Sequence, residues 1–239
     1  MDNKVFYNAP CELYKDCLRS DRDFKQTLRD ILSFVLYDNC KKPEKRVSDA
    51  DLAKVARKLG VEYNDPIRSW REGKKLYSEH VESARNAPAY FSISRETYWH
   101  FMNEESTEFE RAMLLAYLAV KSMVGKRDMI KTNMTAICSR MDGNTKPRRK
   151  GQLTDGVAKY LNRYWSNRLL SALYEKRGVT FYGGNSSHKV RGFYCSTTLT
   201  MEELIIKAEA NMEAARSRPA DPLREAKRLA LSKLHMNSP

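Results

Sequence analysis

The chain has no long apolar run. Nothing in its 239 residues approaches the ~18 consecutive apolar residues of a membrane-spanning helix. Met1-Asp2-Asn3-Lys4-Val5-Phe6 has no apolar signal region. Mean hydropathy is −0.67, and 31% of residues are charged. These features predict a soluble, cytoplasmic protein that does not contact membranes, while 41% apolar residues suffice for a packed core. Cysteine is sparse, odd in number and scattered: Cys11, Cys17, Cys40, Cys138 and Cys195. No pair has Cys-x-x-Cys spacing, so reduced, buried thiols are expected rather than a zinc site. His80, His100, His188 and His235 form no His-x-His or His-Glu-x-x-His pattern. Phosphate-loop and Gly-x-Ser-x-Gly signatures are also missing. No enzymatic activity, catalytic residue, metal or cofactor is expected.

Positive charge is concentrated in one place. The chain carries 43 Lys+Arg against 30 Asp+Glu, a net charge of +13. Residues 126–191 hold 15 of those cations and four acids: Asp128, Asp142, Asp155 and Glu175. The rest of the chain is nearly balanced, with 28 basic and 26 acidic residues. Charge this localised creates a positive field over one surface, and the commonest partner for such a field is a nucleic-acid backbone.

Helical spacing dominates the remainder. Residues from about Pro10 to Cys40 read as helical, with Phe24, Leu28, Ile31, Leu32, Val35 and Leu36 on one face. Ser48 and Asp51 form a capping box for a helix that Gly60 ends. With Ile67 and Trp70 beyond it, residues 48–73 outline a helix-turn-helix, but Asp65-Pro66 disrupts the usual spacing. Simple helical packing is favoured there. Tyr98-Trp99-His100-Phe101 suits a short helix or packing segment. Thr107-x-x-Glu110 opens a helix from Ala112 to Val120 that is apolar almost all round, hence central. Thr200-x-x-Glu203 opens a C-terminal helix, and a basic tail, Leu223 to Leu234, follows.

Between Thr107 and Thr198 the elements follow a recognisable order. After the central helix, Met129–Thr132 suits a small strand, and Asn133 caps a short helix closed by Gly143. A flexible basic loop follows, and Thr154 or Asp155 caps a long helix that runs to Gly178. Val179–Tyr182 and Val190–Cys195 then flank a Gly/Asn/Ser turn as a hairpin. This order resembles the winged helix-turn-helix fold. The fold class expected is mainly α: a winged-helix domain over 106–199, a helical N-terminal region over 1–105, and a C-terminal helix and tail over 200–239.

The resemblance implies DNA-binding positions. On the long helix, Lys159, Arg163, Asn167 and Tyr174 share a face opposite Ala158, Leu161, Trp165, Leu169 and Ala172. Arg pairs two donors with guanine, and Asn reads adenine. Lys146, Arg148, Arg149 and Lys150 of the loop suit phosphate contacts, and His188, Lys189 and Arg191 sit on the wing. Double-stranded DNA is the expected partner, bound by a regulator or replication-associated factor of a mobile element or phage. A winged-helix protein-interaction module is the alternative. RNA is a further one, because Tyr160, Tyr164, Trp165, Phe181 and Tyr182 could stack bases, although most of them suit the core.

Overall fold

Side-chain caps start most of the helices. Asp23 accepts from the Lys25 N–H and opens α1 (Phe24–Cys40). The Ser48–Asp51 box opens α2 (Asp49–Leu59), and Gly60 ends it at φ 65°. Asp65 caps α3 (Pro66–Tyr77), whose first-turn proline needs no N–H partner. A short π-helical turn, Ser78–Glu82, follows. Ser94 caps α4 (Arg95–Asn103). The Thr107–Glu110 box opens α5 (Glu108–Val124), and Asn133 caps α6 (Met134–Met141). After these come α7 (Asp155–Ala158), α8 (Arg163–Arg177) and α9 (Met201–Arg216). The computed structural model describes residues 4–19, 21–41, 47–84, 86–183 and 192–216. The C-terminal basic tail lies outside them.

Over the described residues the protein is mainly helical, with two small antiparallel sheets. β1 (Phe6–Pro10) pairs with β2 (Tyr90–Ser94), placing Tyr7 opposite Ile93 and Ala9 opposite Phe91. β3 (Ile130–Thr132), β4 (Thr180–Tyr182) and β5 (Phe193–Ser196) form the second sheet in the order β3-β5-β4. The expectation that the region 1–105 is helical is therefore corrected, since it also holds β1 and β2. β1 finds its partner eighty or more residues away in sequence, so no local pattern joins the two strands. The stretch expected to be helical from Pro10 is likewise divided. It runs as β1, a 3-10 segment from Cys11 to Leu18, and only then α1.

One contiguous buried cluster extends from Tyr7 to Cys195. α5 crosses its middle, with Ala112, Leu114, Ala116, Ala119 and Val120 buried. It packs on α6, α8, β2, β5 and the 3-10 segment. That segment makes close backbone approaches. The Cys11 thiol donates to the Gly143 carbonyl at 3.2 Å. A Cβ on Gly143 would lie 2.7 Å from the Glu12 Cα, and one on Gly156 would strike the Leu18 carbonyl oxygen. All five cysteines are buried. Burial pushes the Cys11 thiol up to about 11 and Cys138 and Cys195 up to about 12.

α2 and α3 form as the sequence suggests, but Ile67 is exposed rather than packed. Trp70 instead meets Tyr37, with ring centroids 5.4 Å apart. α3 lies hard against α1 at Gly73, where an added Cβ would collide with the Ser33 carbonyl oxygen and sit 2.8 Å from the Tyr37 Cβ. Ala gains about 1 kcal/mol over Gly in helix propensity, but overpacking against backbone costs about 1–3 kcal/mol. Gly73→Ala is therefore expected to lower the urea midpoint. A raised midpoint would contradict this packing.

Candidate nucleic-acid interface

The basic loop is built on one buried carboxylate. Asp142 sits just past α6 and is 9% exposed. Its Oδ1 accepts from the Thr154 hydroxyl at 2.6 Å and from the Thr154 N–H at 3.4 Å. Its Oδ2 accepts from Asn144 Nδ2 at 3.4 Å. The two ends of the loop are thereby tied together. Its middle is held as well: the Arg148 N–H donates to Ser139 Oγ at 2.7 Å, and Arg140 Nη2 donates to the Thr145 carbonyl at 3.3 Å. Gln152 Oε1 accepts the Arg149 N–H at 3.2 Å. The loop expected to be flexible is thus fixed by hydrogen bonds, because each polar side chain nearby has a loop backbone group within reach.

Lys146, Arg148, Arg149 and Lys150 are all exposed on this frame. Arg148 Nε donates to Asn144 Oδ1 at 3.3 Å. Among the described residues, none of the four cations has a carboxylate at ion-pair distance. Four cations fixed side by side repel one another, and an anion relieves that repulsion.

The expected long helix is broken. α7 passes into a 3-10 turn, Lys159–Leu161, and Asn162 is extended at φ −70° and ψ 140°. The Asn162 side chain accepts from the Tyr164 N–H and starts α8 afresh. Asn competes well as a cap, so it ends one helix and opens the next. Lys159 consequently does not share a helical face with Arg163 and Asn167. Its ammonium pairs with Glu108 and lies 5.4 Å from the Trp165 ring centroid.

α8 itself divides cleanly. Ser166, Leu169, Ala172 and Leu173 are buried. Arg163 and Asn167 are exposed on the outer side together with Ser171. Arg168 is spread over the Phe109 ring at 4.6 Å. Tyr164 is 64% exposed and Tyr174 50% exposed, at opposite ends of the outer side. Tyr160 is fully buried, whereas Trp165, Phe181 and Tyr182 are partly buried. His188, Lys189 and Arg191 lie outside the described residues, although the strands that lead to them, β4 and β5, are formed.

Sequence reasoning did not nominate Arg127, Lys131 or Arg140. They belong to the basic stretch, but one follows α5, one is on β3 and one is on α6, so no single periodicity joins them. Among the described residues, no cluster of His, Cys, Asp and Glu is placed to hold a metal ion, and no helix is long and apolar enough to cross a membrane. No family model matches the chain, and neither does any curated protein or solved structure.

Asp142→Ala removes a buried charged acceptor and leaves the Thr154 hydroxyl without its partner. Hydrogen bonds to charged groups contribute about 1.5–3 kcal/mol. A loss of that size in urea unfolding is expected, with faster amide exchange across 144–153. Unchanged exchange there would mean that the carboxylate does not order the loop.

Proposed function

We propose that this protein binds double-stranded DNA through a winged helix-turn-helix core over residues 107–198. The order α5, β3, α6, α8, β4, β5, with the sheet arranged β3-β5-β4, supports the winged-helix reading. The observation that carries the DNA reading is the row of exposed cations, Lys146, Arg148, Arg149 and Lys150, without a carboxylate at ion-pair distance among the described residues, on the hydrogen-bonded loop that joins α6 to the α7–α8 segment. In this reading the loop holds phosphates, which supplies affinity and register. α8 enters the major groove with its N-terminal turn, so Arg163 and Asn167 face base edges. Lys159 contributes less than its neighbours, because Glu108 already neutralises it.

Exposed Tyr164 and Tyr174 beside arginine also suit a protein partner. Salt separates the two readings. If about six phosphates are neutralised, the slope of log K against log salt is about −5. Fluorescence anisotropy with a random-sequence duplex measures this, and a flat response favours the protein partner. Replacing Arg148, Arg149 and Lys150 by Ala is expected to weaken all sequences about equally and to reduce the slope by about one per lost contact. Arg163→Ala or Asn167→Ala is expected to cost about 1–3 kcal/mol mainly on a preferred site obtained by selection. Uniform loss in both sets would remove α8 from the reading role.

A further inference from the structure

We propose that a hollow beside β3 is a phosphate-binding pocket held by Arg127, Lys131 and Arg140. It has a volume of about 530 Å³ and is bounded by the end of α5, β3, α6, Tyr194 of β5 and Asn211 of α9. Among the described residues that line it, three are cationic and none is Asp or Glu. The nearest acid in sequence, Asp128, does not line it and is paired with Lys207. Cations gathered in a hollow without a carboxylate raise the potential there, and an anion offsets their mutual repulsion. A phosphate group, with its several acceptor oxygens, is the chemistry that takes up guanidinium and ammonium donors together.

Two of the three donors, Arg127 and Arg140, are held in advance. Arg127 donates from Nε to the Val124 carbonyl at 3.3 Å and from Nη2 to the Met123 carbonyl, which anchors its guanidinium at the end of α5. Lys131 is on β3, with its ammonium 5.8 Å from the Tyr194 ring centroid. Arg140 spends one nitrogen on the Thr145 carbonyl, so the residue that lines the pocket also holds the basic loop. The pocket is therefore joined to the row Lys146–Lys150 through a single guanidinium. A nucleic-acid backbone lying on the loop has a continuation here. The backbone as the phosphate source rests on the DNA reading above, whereas the pocket itself does not.

Two arms on the full chain test this. Lys131 is the informative position, since it is exposed and no hydrogen bond or ion pair anchors it among the described residues. In the first arm, Lys131→Ala is expected to reduce the salt slope of duplex binding by about one, with Lys131→Arg restoring it. In the second, pyrophosphate titrated by calorimetry reads a free phosphate group, and Lys131→Ala is expected to weaken it. A changed slope without pyrophosphate binding supports a backbone contact. Lys131-dependent pyrophosphate binding in a chain that ignores duplex supports the pocket and removes the DNA reading. If Lys131→Ala alters neither arm while the loop variant still loses duplex, the pocket is overturned and the DNA reading stands.

Discussion

The basic loop of this protein is ordered by a carboxylate placed beneath it. Asp142 is buried where α6 ends, and it joins Thr154 to Asn144 across the loop that carries four exposed cations. Without that acceptor the two ends of the loop would lose their link, and only the bonds from Ser139, Arg140 and Gln152 would hold its middle. With it, the backbone is set before any ligand arrives. Ordering cost is then met on folding rather than on binding, which favours affinity.

A second constraint links that loop to the rest of the fold. The 3-10 segment Cys11–Leu18 lies against Gly143 on one side of the loop and Gly156 on the other, both at distances that leave no room for a side chain. β1 precedes this segment and pairs with β2, which in turn packs on α5. The N-terminal strand and the basic loop are therefore braced by the same short piece of chain. α5 is the common floor: it contacts the 3-10 segment, α6 and α8, and its apolar circumference allows it to do so on several sides at once.

Local chemistry was the legible part of the sequence. The Ser48, Thr107 and Asn133 caps, the Gly60 stop and the buried α5 all follow from residues within one turn of each other. What escaped was either non-local or a competition between neighbours. β1 and β2 meet only through the tertiary fold. Asn162 falls inside the long helix that the sequence predicts up to Gly178, yet its side chain caps α8 and moves Lys159 off the outer face. In the candidate site, the cations of the loop and of α8 were visible as a charge run. The Asp142 anchor was counted only as a minority acid, since nothing local marks it as the acceptor for Thr154. The gathering of Arg127, Lys131 and Arg140 requires three elements to converge and has no signature along the chain.

The central claim is that a preformed basic loop and the outer side of α8 make one DNA-binding surface. Amide hydrogen exchange of the full chain, with and without a duplex at low salt, tests it directly. Slowed exchange confined to residues 144–152 and the first turns of α8 is the expected result. Slowed exchange elsewhere with those segments unchanged, or no change anywhere at saturating duplex, would contradict it.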